Sequence, residues 1–541
     1  MQLLQHFKEL TVRPKNAKEL KGLVLQLAIQ GKLTANWRKN NPNIEPASEL
    51  LNRIKKEKER LVKDKKIRKE KLLPVIEKHE IPFKSPSKWG WYRLRDVGLT
   101  MTGGTPSKSN SNFFGDDVPF LKPGDIKDWK VNYENEGLSL LGQEKLGRTA
   151  ILMVCLGTIG KCAIINRDCS FNQQINAITP LLISSNYLLN CLSSKYFYDV
   201  AWEKSTSTTI ALLNKGKWES IPIPIPPLEE QKEIVKVVET LFKEIEQLEQ
   251  LTVKRISLKE DFVTSALNQL TTNNANQEWT FLQDHFKSFF NETSNIKKLR
   301  ETVLQLAVQG KLTADWRVNN TDTENASILL KRIQKEKAQL IKDKKIKKEK
   351  ALPKITKEEI PYELPEGWVW EYLGNSMLKI TDGTHHSPAN VENGDFKYVS
   401  AKNIKSKGVK LSNITYVTEE AHKEIYARCN PELGDLLYIK DGATTGICCI
   451  NDLDEEFSML SSVALIKQPK EVLNEYLLRV FRSPYYYDLM RKGMTGVAIT
   501  RVTLTKLKAS IIPIPPLEEQ KAIVEKVNAL MGLCNRLEQN V

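Results

Sequence analysis

A fourteen-residue segment occurs twice in this chain of 541 residues. It reads LQLAIQGKLTANWR at 25–38 and LQLAVQGKLTADWR at 304–317, so two of its fourteen positions differ across a spacing of 279 residues. A repeat of this length constrains the fold more than any short motif, because both copies must specify the same local structure. The chain is therefore expected to contain two units of the same design.

The repeat continues towards the C-terminus without a gap. The basic segment IKKEKERLVKDKKIRKEKLLP (54–74) returns as IQKEKAQLIKDKKIKKEKALP (333–353), and WGW at 89–91 returns as WVW at 368–370. The turn TGGT at 102–105 is matched by TDGT at 381–384, so Gly103 is paired with Asp382. Beyond this turn the two sequences diverge.

The similarity resumes at PIPPLEEQK, which occurs at 224–232 and at 513–521. The apolar residues that follow are spaced by four and three positions, the pattern of a helix packed along a partner helix. They are Ile234, Val238, Leu241, Ile245 and Leu248, then Ile523, Val527, Leu530, Cys534 and Leu537. Prolines before the helix and two glutamates in its first turn favour a helix start. Each unit is predicted to close with a long helix.

Two divergent inserts lie between the repeated parts. They combine β-favouring runs such as AILMVCL and DLLYIK with glycine-rich turns and helical patches such as NYLLNCLSSKYFYDV. The pattern predicts an α+β protein, a pseudo-two-fold tandem repeat in which long antiparallel, coiled-coil-like helices separate two mixed α/β domains. The predicted parts are an N-terminal helical region, a first insert, a helical spacer, a second insert and a C-terminal helix, at 1–80, 81–225, 226–359, 360–512 and 513–541.

Positive charge is concentrated in the repeated basic segments. The net charge is +15, of which residues 53–71 contribute eleven basic and four acidic side chains, and residues 332–350 contribute nine and three. Two such concentrations indicate a polyanionic partner. We predict two basic helices that contact DNA phosphates, although a solvated helix or one docked on a partner subunit fits the same pattern. The predicted phosphate contacts are Lys65, Lys66, Arg68, Lys69, Lys344, Lys345, Lys347 and Lys348.

Sequence patterns of catalysis are not found. QGKLT lacks the glycine and the hydroxyl residue of a phosphate-binding loop, so its glycine is expected to close the preceding helix. His385 and His386 have no acidic or cysteine ligand at a supporting spacing, so no metal site is predicted. The chain also lacks a glycine-rich cofactor loop, a methyltransferase tetrapeptide and a nucleophile–histidine pair. A binding protein without catalytic residues is expected.

The sequence also predicts where the protein works. Its eight cysteines form no CxxC pair, which suits reduced thiols. Neither a signal peptide nor an apolar run long enough for a membrane span is recognisable. We expect a cytoplasmic protein that does not contact membranes.

Three repeated elements together resemble the DNA-specificity subunit of type I restriction–modification systems. They are PPLEEQK opening a long helix, a GGTPS-type turn early in each insert, and the LQLAxQGKLTAxWR helix. The resemblance implies that the inserts are target-recognition domains, each reading half of a split double-stranded DNA sequence. It also implies partners: two modification subunits that use S-adenosylmethionine to methylate adenine, and restriction subunits that translocate and cut DNA. No cofactor is then expected in this chain, because S-adenosylmethionine, ATP and Mg would belong to the partners.

The candidate base-reading residues lie in polar loops of the two inserts. In the first insert they are Thr105, Ser107, Lys108, Lys122, Lys127 and Gln173; in the second they are Thr384, His385, His386, Lys402, Asn403 and Lys405. Ordinary loop surface is the alternative for each. The tryptophans at 89, 91, 368 and 370 could stack on DNA, but their position where frame meets insert favours packing.

Two other classes of protein are compatible with the pattern. One is a coiled-coil scaffold that binds no specific DNA sequence. The other is a self-sufficient DNA methyltransferase or nuclease whose catalytic residues are scattered.

Overall fold

The structure is a computed structural model. It describes residues 13–107, 109, 111–139, 150–206, 210–272, 277–386, 388, 391–492 and 501–539. The chain divides into two compact units, Met1–Ile256 and Ser257–Val541. Both units are built to the same plan.

The first unit combines frame helices with a mixed insert. Its helices are α1 (Pro14–Ile29), α2 (Ala35–Asn40), α3 (Ala47–Lys63), α4 (Ser185–Leu192), α5 (Lys195–Lys204), α6 (Lys215–Glu219) and α7 (Leu228–Thr271), of which α7 continues past Ile256 into the second unit. Its strands are β1 (Gly90–Arg93), β2 (Gly98–Thr102), β3 (Phe114–Leu121), β4 (Ile126–Lys127), β5 (Lys130–Val131), β6 (Gly137–Leu138), β7 (Ile151–Val154), β8 (Cys162–Ile164), β9 (Ser170–Phe171), β10 (Ile175–Pro180) and β11 (Pro222–Ile225). The 44-residue α7 lies between the two inserts in the sequence.

The strands of the first insert form a central sheet and smaller pieces. The central sheet has the order β2-β10-β7-β8, a smaller sheet has the order β6-β3-β9, and β4 pairs with β5 as a hairpin. At the border with the frame, β1 pairs antiparallel with β11 and brings the two ends of the insert together.

The second unit has helices α8 (Gln277–Asp284), α9 (Phe286–Phe289), α10 (Thr293–Val308), α11 (Ala314–Asn319), α12 (Ala326–Lys342), α13 (Leu373–Ser376), α14 (Glu419–Arg428), α15 (Asn474–Arg482), α16 (Pro484–Arg491), α17 (Leu504–Lys508) and α18 (Leu517–Gln539). Its strands are β12 (Val369–Tyr372), β13 (Lys379–Asp382), β14 (Phe396–Val399), β15 (Ile404–Lys405), β16 (Gly408–Val409), β17 (Thr415–Val417), β18 (Leu436–Ile439), β19 (Cys448–Ile450), β20 (Phe457–Met459), β21 (Val463–Lys467) and β22 (Ile511–Ile514). The sheets are β13-β21-β18-β19, β17-β14-β20, β15-β16 and β12-β22. The two inserts thus share one topology although their sequences diverge.

The central sheet of each insert is buried on both faces. In β7, Ile151 and Met153 belong to the apolar cluster that includes the helices, whereas Leu152 and Val154 belong to the cluster that includes the smaller sheet. The strand β18 alternates in the same way between two clusters. Strands that are buried on both faces read as continuous apolar runs. The prediction of strands in AILMVCL and DLLYIK is therefore confirmed.

The repeated helix α1 ends in a turn that requires glycine. Gly31 has φ +68, and the bonds Gly31 N–H to Ala28 O and Lys32 N–H to Leu27 O are both 3.0 Å long. A Cβ atom at this position would lie 2.7 Å from Pro86 Cγ. This helix-ending motif confirms that QGKLT closes a helix.

A buried carboxylate connects three distant parts of the first unit. Glu230, fully buried at the start of α7, accepts hydrogen bonds from Thr34 Oγ1 (2.6 Å) and Trp89 Nε1 (2.8 Å). Arg38 forms an ion pair with the same carboxylate and donates to the carbonyl of Gly31 at 2.6 Å. A buried charge is tolerated when it is paired and fully hydrogen-bonded, as this one is. We call this arrangement the carboxylate centre.

The second unit contains the same carboxylate centre. Glu519, at the start of α18, accepts from Thr313 Oγ1 at 2.7 Å, Trp368 Nε1 at 2.7 Å and Arg317 Nη1 at 2.5 Å. The threonine and arginine belong to the LTAxWR end of the repeat, the tryptophan to WxW and the glutamate to PPLEEQK. One buried interaction thus explains why these separate segments recur together.

The predicted heptad seams are buried where the helices pack. In α7, the first four seam residues are buried in one cluster with Val24 and Ala28 of α1. The two helices run antiparallel, since Lys21 pairs with Glu246 (2.8 Å) while Thr34, beyond the end of α1, contacts the start of α7. In the second unit, α10 packs against α18, and Arg300 pairs with Glu538 at 2.8 Å. The long helices are therefore confirmed as packed antiparallel elements of each frame.

Among the described helices, none has both the length and the apolar character needed to cross a membrane.

The carboxylate centre predicts a large loss of stability when its acid is removed. Glu230→Ala leaves the Arg38 charge, the Thr34 hydroxyl and the Trp89 indole N–H without their acceptor, and breaking one partner of a buried pair typically costs about 3–5 kcal/mol. Glu229→Ala is the matched control, because its exposed side chain pairs with Lys232 (2.8 Å) and with no other described residue, and such pairs contribute about 1 kcal/mol or less. Urea denaturation of the variants measures the difference. Equal midpoints for the two would contradict a stabilising role of Glu230.

Candidate nucleic-acid interface

The first predicted reading loop is held against the smaller sheet by a close backbone contact. Gly103 N–H donates to Ile175 O (3.1 Å) and Gly104 N–H donates to Phe171 O (3.0 Å). A Cβ atom on Gly103 would lie 2.1 Å from Phe171 O, so glycine is required there. The crossing brings two predicted residues together, because Thr105 Oγ1 donates to Gln173 Oε1.

The other predicted residues of the first insert differ in whether their side chains are bonded to neighbouring residues. Lys122 pairs with Glu136, so its charge is partly neutralised. Lys127, at the end of β4, is exposed and forms no ion pair within the described part of the chain. Ser107 shares a hydrogen bond with Ser109 Oγ at 2.7 Å. Lys108 lies outside the described residues.

The second reading loop follows the same path but is shifted by one residue relative to the sequence alignment. Gly383 takes the place of Gly103, since a Cβ atom there would lie 1.8 Å from Met459 O, and Thr384 N–H donates to that same oxygen at 2.9 Å. The pairing of Gly103 with Asp382 is therefore wrong. Because β13 extends to Asp382, this carboxylate occupies the position of Thr102, the last residue of β2.

The predicted histidines lie on this second loop. Thr384 Oγ1 donates to His386 O at 3.0 Å, and both histidine side chains are exposed. His385 Nε2 lies 3.3 Å from Asp382 Oδ1 and 3.2 Å from Arg428 Nη2.

The hairpin residues of the second insert separate into exposed and structural groups. Lys402 and Lys405 are exposed, and Lys405 ends β15 in the same place as Lys127 ends β4. Asn403, in contrast, is buried: its Oδ1 accepts from Ser400 N–H (3.0 Å) and its Nδ2 donates to Lys410 O (3.1 Å). Asn403 is therefore bonded within the turn at both ends of its amide, and its contact with DNA stays a prediction.

A chain of alternating charges lies beneath the second loop. Asp382 Oδ2 is 3.4 Å from Lys440 Nζ, and both side chains are 2% exposed. Lys440 also contacts Asp441 Oδ2 at 3.2 Å. A half-exposed arginine lies at each end of this series of charges. Arg428 Nη2 is 2.6 Å from Asp382 Oδ1, and Arg501 Nε is 3.3 Å from Asp441 Oδ1. We call these five residues the charge chain; the sequence analysis missed them, although the replacement of GG by DG at 382–383 marked the position.

The predicted basic helices are shorter than expected. α3 ends at Lys63 because Lys65 adopts φ +55, with Lys65 N–H bonded to Val62 O and Lys66 N–H to Leu61 O. α12 ends at Lys342 with the same turn. The eight predicted phosphate contacts therefore lie beyond the helices, in an exposed turn and the irregular segment that follows it, and their assignment to basic helices was wrong. They form no ion pairs with residues that the structure describes.

The helical part of each basic segment is docked on its insert. Lys58 Nζ donates to Arg95 O at 2.5 Å and Lys337 Nζ donates to Gly374 O at 2.6 Å. Burial lowers the pKa of both ammonium groups. These lysines anchor the helices and leave the following segments, 64–71 and 343–350, as the exposed basic surface.

The tryptophans at the border of frame and insert are packing residues, as predicted. Trp89 and Trp368 are buried in the carboxylate centres. Trp91 lies edge-to-face with Phe83 and Tyr196, with ring centroids 5.0 and 5.7 Å apart.

The cysteines provide no reactive thiolate. All eight are unpaired and buried, and burial raises the pKa of Cys155 and Cys429 to about 12. Within the described ranges, no three His, Cys, Asp or Glu side chains are grouped so as to hold a metal ion.

A family comparison fits this doubled architecture. The model of the type I restriction modification DNA specificity domain matches the chain twice, at residues 86–255 and 377–541. The chain belongs to this family.

Full-length relatives are found among the specificity subunits of this family. That of the type I restriction enzyme EcoAI from Escherichia coli is 29% identical over 550 residues, covering 96% of this chain and 90% of the relative. That of EcoEI, also from Escherichia coli, is 26% identical and covers 97% and 90%. A chain from a solved structure of a type I restriction–modification system matches with a TM-score of 0.49 and 16% identity, covering 85% of this chain and 94% of that chain.

Each specificity-domain match combines an insert with its closing helix. The first match includes β1 to β11 and the beginning of α7, and the second includes β13 to β22 and α18. The lead-in helices α1 and α10 and the two basic segments lie outside both matches.

Proposed function

We propose that this chain is the DNA-specificity subunit of a type I restriction–modification complex and reads a split target with one insert per half-site. The target-recognition domains are residues 81–225 and 360–512, carried by the helical regions 1–80, 226–359 and 513–541. One observation carries the proposal. Two inserts with the same sheet order are attached to frames of the same design, yet they present different side chains at equivalent positions.

Base reading is assigned to the loops that cross the smaller sheet in each insert. Hydroxyl, amide and imidazole groups such as those of Thr105, Gln173 and His385 can bond to base edges, which carry sequence information. The exposed lysines at equivalent hairpin ends, Lys127 and Lys405, suit phosphates, which fix register without reading sequence.

The exposed basic segments supply further phosphate contacts. Lys65, Lys66, Arg68 and Lys69 in the first unit have counterparts in Lys344, Lys345, Lys347 and Lys348. Lysines and arginines that release counterions from DNA give sequence-independent affinity. The helical spacer regions would then set the number of unread base pairs between the half-sites.

The partners follow from the doubled frame. Trp37 and Trp316 are half-buried at equivalent sites on α2 and α11, so one type of partner surface could dock twice. An open groove of about 690 Å³ beside Trp316 is lined by residues of α11, of the segment 320–324 that follows it, and of α18. We assign these surfaces to two modification subunits, which would bind S-adenosylmethionine and methylate adenine. Restriction subunits would bring ATP and Mg, and this chain would contribute no catalytic residue.

Methylation mapping tests the proposed function. When the chain is co-expressed with the adenine methyltransferase of its own system, genome-wide methyladenine sequencing should give one bipartite motif with a fixed spacer. The methyltransferase expressed alone is the control and should give no such motif. Methylation by this chain alone would instead favour a self-sufficient enzyme, and methylation without a motif would favour a scaffold.

The basic segments predict a change in the salt dependence of DNA binding. Replacing Lys65, Lys66, Arg68 and Lys69 by glutamine should reduce the slope of log K against log salt by up to about 0.9 for each phosphate that the chain no longer neutralises. Binding isotherms from about 50 to 200 mM salt measure the slope.

The matched control for this variant removes four exposed lysines from α7, namely Lys232, Lys236, Lys243 and Lys254. Its slope should stay close to that of the unmodified chain. If both variants changed the slope equally, the effect would reflect net charge and not these segments.

A further inference from the structure

The Asp382–Lys440 pair is not required by the fold. In the first insert, Thr102 takes the position of Asp382, as judged by its strand partner. Cys155 takes the position of Lys440, since Cys155 N–H donates to Gln174 O and Lys440 N–H donates to Ser462 O at the same point of the sheet. Two neutral side chains therefore occupy the positions at which the second insert buries two charged side chains.

The outer part of the charge chain differs in the same way. The bridge between Asp441 and Arg501 in the second insert corresponds to the bridge between Leu156 and Leu212 in the first. Removing an ion pair from water is costly, and apolar replacements are often equally stable. A buried pair kept in one of two copies of the same fold therefore calls for a reason other than stability.

The buried pair fixes the orientation of an exposed arginine. Asp382 uses Oδ2 for Lys440 at 3.4 Å and Oδ1 for Arg428 Nη2 at 2.6 Å. Lys440, itself buried, holds the carboxylate in place from below. Arg428 is the last residue of α14, and its side chain is 51% exposed. Its Nη2 atom is thereby tied to the protein, and the same atom lies 3.2 Å from His385 Nε2, which leaves Nε and Nη1 without a hydrogen bond to a described residue.

A guanidinium group held in this way is suited to a planar hydrogen-bond acceptor with a fixed orientation, such as the edge of a base. Arginine donates two parallel hydrogen bonds to O6 and N7 of guanine, the commonest specific contact in the major groove. Phosphate contacts need positive charge but no fixed orientation, and they are supplied by flexible exposed lysines elsewhere on the chain.

Resting on the proposed function, we propose that Arg428 reads a guanine in the half-site of the second insert. Asp382 and Lys440 act as positioning residues, and they do not touch the DNA. The first insert has Thr102, Cys155 and Leu156 in place of Asp382, Lys440 and Asp441, so it lacks the carboxylate that anchors Arg428.

The test is selection of bound duplexes from a random-sequence pool by the full 541-residue chain in complex with its methyltransferase. The unmodified complex should select two half-sites, with an invariant guanine in one of them. Arg428→Ala should lower the preference for that guanine by about tenfold or more, whereas the other half-site keeps its bases. Arg428→Lys keeps the charge but loses the parallel donors, so it should relax the same position while overall affinity changes less.

Two further variants separate positioning from charge and from folding. Asp382→Asn should lower the preference for the same guanine, because Arg428 loses its anionic anchor. Lys423→Ala is the matched control: it removes an exposed cation from the same helix, which among the described residues pairs only with Glu419, and should leave every base preference unchanged.

The inference is overturned if Arg428→Ala and Arg428→Lys leave the guanine preference intact. It is also overturned if Arg428→Ala weakens binding to all duplexes equally and reduces the salt dependence, the result expected of a phosphate contact. An unmodified complex that selects no sequence would instead reject the proposed function, and the inference with it.

Discussion

The buried carboxylate at the start of each closing helix is the interaction on which the architecture depends. Glu230 and Glu519 each join a lead-in turn, an insert border and a closing helix that are far apart in the sequence. Because an unpaired buried charge is costly, all four participants must be present together. This requirement accounts for the strict repetition of the frame, and it leaves the inserts free to vary as long as their two ends meet in the β1–β11 and β12–β22 pairs.

The residues that can differ between the two inserts lie at their surface and among their buried polar side chains. Both keep a central sheet of one topology, buried on both faces, and both need a glycine where the reading loop crosses the smaller sheet. Beneath that loop the first insert has neutral side chains and the second has the charge chain. The chemistry beneath the loop can thus differ without any change in how the inserts are joined to the frame, which is what the proposed reading of two different half-sites requires.

The sequence predicted the elements whose patterns are local and missed those that depend on distant contacts. Heptad seams, buried strands and the glycine turn after α1 follow from spacing within a single segment, and all are present. The ends of the basic helices were missed because Lys65 and Lys344 adopt the left-handed conformation, which usually marks glycine. The burial of Asn403 was also missed, because a buried turn-forming amide and an exposed amide look alike in sequence. The charge chain joins residues on separate strands and a helix, so only the tertiary structure brings it together.

Under the proposed function, the frame is a common support and the inserts alone determine the target. The most direct measurement replaces residues 373–510 by a second copy of 94–221, joining them between the border strands, and maps methyladenine after co-expression with the methyltransferase. The account predicts a target in which the half-site of the first insert occurs twice and that of the second insert is no longer needed. A target that still requires the second half-site would contradict it.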